Sequence, residues 1–314
     1  MKTKLELNLL RGKINLRVPV IKNDTDVYRF HRIGPSTYRI NEAGFVNCYL
    51  LIGSERALLI DTGNGGGNLR KAVETITKRP VDVFITHRHC DHVGGAGWFD
   101  GVYIYHTETE AFENIVTSPV GSLAFAAIER QPGDFPIPTH RPNYIKTDEN
   151  MVFDLGDRQI RVMHFPGHTE GSCILVDDAM RQIFVGDEIS TDMLLAVPGA
   201  SSLETWVRSA KKIYNLSAGY ELWWGHKRGL VTRPQLKCTI HMAERVLRSQ
   251  KRNHFPDKTV IYRNRKMHVS LMYNNGNVYP PTPWTLKDLP DTIITIAKTL
   301  KARSRVLRQD ARRV

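Results

Sequence analysis

The most informative stretch of this chain reads Thr86-His87-Arg88-His89-Cys90-Asp91-His92-Val93-Gly94-Gly95. It places three imidazoles and one carboxylate within six consecutive positions, directly after the apolar run of residues 81–85. Because that run is rich in β-branched and aromatic residues, it predicts a buried strand. Imidazole nitrogens and carboxylate oxygens are common zinc ligands. The stretch therefore predicts a metal site at the end of a strand.

The spacing of these donors divides them into two groups. His87 and His89 are two residues apart and can point toward one ion if the chain is extended. Asp91 and His92 are adjacent, so they point elsewhere and suit a second ion or a catalytic role. The glycine pair that follows lets the backbone turn sharply and approach the site closely. A polar loop with no metal is the alternative, but four donors in this order favour the metal site.

Similar donors follow other strand-like runs of the chain. They are Asp61 after residues 57–60, His168 in a Gly-His-Thr turn, Asp187 in a Gly-Asp pair, and His226 after residues 222–225. Together with the His-x-His-x-Asp-His motif and its two glycines, this series resembles the metallo-β-lactamase-fold superfamily of metallohydrolases. The resemblance covers about residues 25–250 and fills every metal position in the family's order.

The resemblance implies a binuclear site with imidazole and carboxylate ligands. The implied ligands are His87, His89 and His168 for a first ion, Asp91, His92 and His226 for a second, and Asp187 as the bridge. Asp61 is implied to orient the ligand loop through hydrogen bonds. Glu188, next to the bridging acid, either supports a ligand or bonds to the backbone, and the sequence leaves both roles open.

The implied fold is α+β, a four-layer αβ/βα sandwich with a basic C-terminal extension. Residues 1–250 would form the catalytic domain, and residues 251–314 the extension, made of a hairpin and a helix. Asn274-Asn275-Gly276-Asn277 predicts the hairpin turn. We expect helices at residues 68–78, 108–116, 202–214, 235–252 and 286–307. Residues 117–150 have no clear period and predict a loop insertion that lines a substrate pocket.

Composition predicts a soluble cytoplasmic protein. The chain has 314 residues, of which 41% are hydrophobic and 24% charged, as in globular proteins. Its first residues are charged and predict no secretory signal, and no apolar run is long enough for a membrane span. The four cysteines are scattered without a Cys-x-x-Cys pair, which favours a reducing compartment.

The net charge of +12 is distributed unevenly along the chain. Residues 1–226 contain 24 Lys and Arg against 27 Asp and Glu, whereas residues 227–314 contain 20 against 5. All of the positive excess therefore lies beyond the last predicted metal ligand. A solvated helix face and a surface for an acidic partner both explain such a run.

The ligand set predicts hydrolysis. Two divalent ions about 3.5–4 Å apart can share a hydroxide that attacks an electrophilic carbonyl or phosphorus. Asp91, facing the open side, is the candidate that passes a proton to the leaving group. Zinc is the expected metal, in two ions, and iron or manganese would accept the same donors. We expect a small-molecule substrate: a carboxylic ester, a lactone or a thioester.

Three other functions stay open at this point. A metal-dependent phosphodiesterase would use the basic C-terminal region to guide nucleic acid. A mononuclear iron sulfur dioxygenase would use fewer of the ligands. A binding module without catalysis is disfavoured because no ligand is missing. The sequence predicts neither the physiological substrate nor the oligomeric state.

Overall fold

A computed structural model describes residues 3–9, 12–18, 25, 27–42, 44, 46–109, 142–197, 199–227, 229–249, 259–274 and 278. Near the start of the chain, β1 (Thr3–Leu9) and β2 (Gly12–Val18) form an antiparallel two-stranded sheet. None of the helices in the described ranges combines the length and the hydropathy that a membrane crossing requires.

The first half of the chain forms a seven-stranded sheet. Its strands are adjacent in chain order: β3 (Tyr28–Gly34), β4 (Thr37–Glu42), β5 (Val46–Ile52), β6 (Ala57–Ile60), β7 (Val81–Ile85), β8 (Gly101–Tyr105) and β9 (Asn143–Thr147). The pairs from β3 to β6 are antiparallel, and those from β6 to β9 are parallel. In β5, Cys48 and Leu50 enter one hydrophobic core, whereas Tyr49 and Leu51 enter another. The central strands are therefore continuous apolar runs because both of their faces are buried.

The second half forms a six-stranded sheet and a smaller three-stranded one. The six strands, in spatial order, are β10 (Val152–Asp154), β11 (Gln159–His164), β12 (Cys173–Asp177), β13 (Gln182–Phe184), β15 (Glu221–Trp223) and β16 (Leu230–Val231). The three-stranded sheet contains β14 (Asp192–Leu195), β18 (Val269–Asn274) and β17 (Thr259–Asn264), in that order.

Four α-helices flank these sheets in the described part of the chain. They are α1 (Leu69–Glu74), α2 (Cys90–Val93), α3 (Leu203–Leu216) and α4 (Arg233–Ser249). Ser202 caps the N-terminus of helix α3, and its hydroxyl accepts a hydrogen bond from the Thr205 amide at 3.1 Å. Such a cap satisfies an amide that lacks a partner within the helix. Leu203, Trp206 and Ala210 are fully buried at helical spacing and hold α3 on the sheet.

Three hydrophobic cores separate four layers. One core contains side chains of α1, α2 and the seven-stranded sheet. A second lies between the two large sheets, and a third contains side chains of the six-stranded sheet, α3 and α4. The predicted α+β, four-layer αβ/βα sandwich is confirmed.

The predicted hairpin turn at residues 274–277 lies, apart from Asn274, outside the described residues. The chain turns at residues 265–268, where the Asn264 side chain accepts a hydrogen bond from the Met267 amide at 3.2 Å and His268 has a φ of 53°. Alternate residues of β18, beginning at Val269, enter the core beside α3 and α4. This burial keeps the strand extended as far as Asn274.

Part of the predicted loop insertion at 117–150 is a strand. β9 pairs in parallel with β8 over its whole length and forms the edge of the first sheet. Its five residues follow a Pro- and Gly-rich segment, whose composition obscured the strand. Residues 110–141 and the predicted helix at 286–307 lie outside the described residues, as does most of the predicted helix at 108–116.

The predicted hairpin of the extension lies against the catalytic fold. β18 pairs in parallel with β14, with Leu271 beside Met193 and Tyr273 beside Leu195. All four of these side chains belong to the core that contains α3 and α4. The division into residues 1–250 and 251–314 stays a prediction.

Candidate metal centre

All seven predicted ligands lie at one edge of the two large sheets. They follow β7 (His87, His89, Asp91 and His92), β11 (His168), β13 (Asp187) and β15 (His226). Strands β6 and β7 are parallel, and so are β13 and β15, so that their carboxyl ends meet at the same edge. Polar residues that follow such strands converge outside the sheet, where open α/β sheets bind ligands.

The structure brings these side chains into two adjacent clusters. In each cluster the potential ligand atoms lie within 4.8 Å of one another. The clusters are His87, His89 and His168, and Asp91, His92, Asp187 and His226. We call them the first cluster and the second cluster. Their membership matches the sequence expectation, and their role as metal ligands stays a prediction.

Asp187 lies between the two clusters. Its Oδ2 atom is 3.1 Å from His226 Nε2 in the second cluster and 3.9 Å from His168 Nε2 in the first. Its Oδ1 atom is 3.5 Å from His92 Nε2. One carboxylate thus contacts imidazoles of both clusters, as a bridging ligand must.

The buried ligand atoms that lack a hydrogen bond fit a divalent ion. His87 Nε2, His92 Nε2 and Asp187 Oδ1 are buried and have no hydrogen-bond partner. A buried polar atom without a partner costs about 1–3 kcal/mol, so such atoms are rare in folded proteins. Imidazole nitrogens and carboxylate oxygens that converge without partners are a suitable donor set for zinc.

The nitrogens that face away from the clusters are held by hydrogen bonds. His92 Nδ1 is 2.8 Å from Asp61 Oδ2, and His168 Nδ1 is 2.6 Å from the carbonyl oxygen of Leu194. Asp61 also accepts a hydrogen bond from the Thr86 amide at 2.7 Å. Partners of this kind fix the ring orientation and the tautomer of a ligating histidine. Asp61 thus orients the ligand loop as the resemblance implied.

Glycine is required in the turn at residues 224–226, which we call the His226 turn, where it passes the second cluster. A Cβ atom at Gly225 would lie 2.5 Å from Asp187 Oδ1 and 2.6 Å from His92 Cε1. Both distances are far shorter than a van der Waals contact. The turn can therefore approach the second cluster only because Gly225 has no side chain.

Sequence reasoning missed the residues that hold the His226 turn from the other sheet. The Tyr49 hydroxyl donates to the Trp224 carbonyl at 2.6 Å, and the Asn47 amide donates to the Gly225 carbonyl at 2.7 Å. Asn47 and Tyr49 lie on β5, more than 170 residues before the turn. No local pattern connects two segments so far apart.

The role that was left open for Glu188 is resolved by its contacts. Its side chain is buried, and Oε2 accepts a hydrogen bond from the backbone amide of His168 at 2.8 Å. Burial raises the pKa of Glu188 well above its ordinary value. Glu188 therefore supports a predicted ligand through that ligand's backbone.

Without metal, the two clusters differ in charge. Burial and the neighbouring His89 lower the pKa of His168 to about 4, so His168 is neutral at pH 7. Burial also lowers the pKa of His226, but the carboxylates of Asp187 and Asp91 outweigh it and raise this pKa to about 10. Burial opposes ionisation of Asp91, whereas His92 and His226 lower its pKa overall. The second cluster is thus a set of ion pairs, and the first contains a neutral imidazole.

Comparisons with known proteins agree with this geometry. The family model of the metallo-beta-lactamase superfamily matches residues 41–226. The human acyl-coenzyme A thioesterase MBLAC2 is 31% identical over 215 residues, which cover 60% of this chain and 76% of that protein. The hydroxyacylglutathione hydrolase GloC of Haemophilus influenzae is 25% identical over 148 residues, which cover 45% of this chain and 65% of that protein.

Solved structures share the fold. A metallo-beta-lactamase from Pontibacter korlensis is 17% identical, with a TM-score of 0.53, over 69% of this chain and 99% of its own. The DIM-1 metallo-beta-lactamase is also 17% identical, with a TM-score of 0.53, over 73% of this chain and 99% of its own. The matched family model spans more than half of the chain and includes every predicted ligand. The chain belongs to the metallo-beta-lactamase superfamily and is a metal-dependent hydrolase.

Proposed function

We propose that this chain is a binuclear zinc hydrolase that cleaves a thioester. The observation that carries the proposal is the pair of adjacent clusters, both of which Asp187 contacts and which contain buried ligand atoms without a hydrogen bond. Every ligand position of both clusters is taken by a histidine or an aspartate, which favours two ions over the single iron of a sulfur dioxygenase. Hydrolysis of a small ester or a lactone would use the same chemistry.

Each cluster would hold one ion. His87, His89 and His168 would hold the first, Asp91, His92 and His226 the second, and Asp187 would contact both. Bound there, two divalent ions supply Lewis-acid activation of water and polarisation of the substrate carbonyl. The protein's own part is to hold the imidazoles and carboxylates in place, through partners such as Asp61 and Glu188.

Asp91 is the proposed proton carrier. Its side chain is 30% exposed, more than that of His226 or Asp187, so it faces the open side of the site. Its lowered pKa keeps the carboxylate ionised at neutral pH, ready to accept a proton on an oxygen atom. The proton would then pass to the leaving group.

The nature of the leaving group favours a thioester over an oxygen ester. A thiol has a pKa of about 8.5, so its thiolate leaves with less help from an acid than an alkoxide does. Because an ionised Asp91 holds no proton of its own to donate, a leaving group that can depart as an anion suits it. Two relatives support this choice by their names, an acyl-coenzyme A thioesterase and a hydroxyacylglutathione hydrolase.

An assay of acyl-coenzyme A and acyl-glutathione thioesters tests the proposal. Thiol release should be abolished by a chelator and restored by zinc. His89→Ala should lose activity, whereas His241→Ala, an exposed position on α4, should keep it. Hydrolysis that survives complete metal removal, or a lack of turnover across both thioester series, would contradict the proposal.

A nucleic-acid phosphodiesterase is the second candidate. The observation that favours it is the positive excess of residues 227–314. The described hairpin contributes Arg263, Arg265 and Lys266 to this charge. Metal-dependent cleavage of RNA or DNA, with no thiol release from the thioesters, would favour this candidate over the first.

The cysteines in the described part of the structure are free, which supports the proposed cytoplasmic location.

A further inference from the structure

Glu108 connects the two loops that carry the first cluster. It ends a short 3-10 helix after β8, and its side chain is fully buried. Its Oε2 atom accepts a hydrogen bond from the Arg88 amide at 3.0 Å, and Oε1 accepts one from the Gly171 amide at 2.8 Å. Arg88 separates the two histidines of one loop, and Gly171 lies three residues after the histidine of the other. One carboxylate therefore links both loops.

The geometry requires a carboxylate at this position. Each oxygen accepts from one amide, and an ionised carboxylate has no hydrogen of its own. A glutamine would keep one acceptor but would turn its NH2 group toward the other amide. The Arg88 guanidinium, with Nε 3.9 Å from Oε2, balances the buried charge. A Cβ atom at Gly171 would lie 2.6 Å from Glu108 Cγ, so only glycine permits this approach.

The second cluster is held by other residues. Asp61 bonds to His92, and Asn47 and Tyr49 hold the turn that precedes His226. The hydrogen bonds of Glu108 to the amides of Arg88 and Gly171 reach none of these groups. Within the first cluster, by contrast, His89 Nδ1 and His168 Nε2 face each other across the two linked loops at 2.8 Å.

We propose that Glu108 is a positioning residue that sets the metal affinity of the first cluster but not that of the second. This inference rests on the proposed binuclear function. By fixing the distance between the two loops, Glu108 keeps His89 and His168 at the separation that one ion requires. Changes in the groups that orient metal ligands typically cost about 10–100-fold in affinity.

Cobalt titration of the full chain tests the inference. The chain is freed of metal with a chelator, and Co²⁺ binding is followed by absorption and by competition with a chromophoric chelator. Glu108→Gln should weaken one of the two ions by about 10–100-fold and leave the other unchanged. Glu74→Gln, an exposed position on α1, is the matched control and should change neither.

A ligand variant identifies the affected ion. His168→Ala removes a first-cluster ligand, so the ion that it still binds belongs to the second cluster. Adding Glu108→Gln to His168→Ala should not weaken that remaining ion. Gly171→Ala disturbs the same link from the other loop and should reproduce the selective loss of Glu108→Gln.

Three results would overturn the inference. The first two are equal weakening of the binding of both ions and weakening of the binding of neither. The third is loss of the folded metal-free chain in both Glu108→Gln and Gly171→Ala, measured by circular dichroism. The last would place Glu108 in folding rather than in the site. A wild-type chain that binds one ion would contradict the binuclear proposal instead. Glu108→Gln would then still have to weaken that single ion more than Glu74→Gln does.

Discussion

At the scale of single residues, Gly225 shows how closely the backbone approaches the second cluster. Gly225→Ala would place a methyl group 2.5 Å from Asp187 Oδ1 and must displace that carboxylate or the turn. We expect metal affinity at the second cluster to fall by at least about tenfold. Isothermal titration calorimetry with zinc measures it. Gly101→Ala, where a Cβ atom meets its nearest neighbour at 3.5 Å, is the control and should bind as the wild type does.

The charge of the two clusters predicts different pH dependences for the two ions. His226 has its pKa raised to about 10, so it must lose a proton before it can bind metal at pH 7. Affinity of the second cluster should therefore fall as the pH is lowered from 8 to 6. His168, with its pKa lowered to about 4, is already neutral in this range, so its ionisation adds no such dependence to the first cluster.

Calorimetry in two buffers measures the released protons. At pH 7, the heat of zinc binding to the second cluster should change with the ionisation enthalpy of the buffer. Binding heats that are identical in phosphate and Tris buffers would contradict the protonated state of His226.

At the scale of elements, a buried arginine away from the metal centre pairs with an aspartate of its own sheet and bonds to a strand of the other large sheet. Arg158, just before β11, donates from Nε to Asp177 Oδ2 at 2.5 Å and from Nη2 to the Thr37 hydroxyl on β4 at 2.7 Å. The side chains of Arg158 and Asp177 are 3% and 0% exposed. Arg158→Met would leave a buried carboxylate without its charged partner and should cost about 3–5 kcal/mol of unfolding free energy.

A second pair nearby, formed by residues on or next to β11 and β12, is the control for this prediction. Arg161 and Asp178 are also an arginine–aspartate pair, but their side chains are 41% and 50% exposed. Arg161→Met should cost less than about 1 kcal/mol, because water solvates the remaining carboxylate. Urea unfolding measures both variants, and equal losses would contradict the structural role of Arg158.

Elements were predictable from the sequence where burial follows a simple period. Helix α3 matches its prediction because Leu203, Trp206 and Ala210 lie on one buried face. The edge strand β9 was missed because a five-residue strand is too short to show a period. The turn at residues 265–268 was not predicted, because the burial of β18 depends on β14, a strand that lies more than 70 residues earlier in the chain.

At the scale of the whole molecule, the hairpin of β17 and β18 shares the core of the catalytic fold. Leu271 on β18 is fully buried, whereas Ile261 on β17 is 41% exposed. Leu271→Ala should therefore lower the unfolding free energy of the whole chain by about 2–5 kcal/mol. Ile261→Ala should change it by less than about 0.5 kcal/mol. Unfolding monitored by tryptophan fluorescence and by metal release should show one shared transition, and separate transitions would contradict a shared core.

The candidate site was predictable where its residues lie in short sequence motifs. The predicted ligands converge as the sequence suggested: His87, His89, Asp91, His92, His168, Asp187 and His226. Glu108, Asn47 and Tyr49, which hold the ligand loops, were not predictable, because each acts through the backbone of a segment that is distant in sequence. Supporting contacts of this kind leave no local pattern.

Zinc titration of the metal-free full chain is the most direct test of the two-ion site. The clusters predict two zinc ions per chain, with one lost in His168→Ala and the other lost in His226→Ala. Saturation at one ion or none in the wild type, or full occupancy in both variants, would contradict the account.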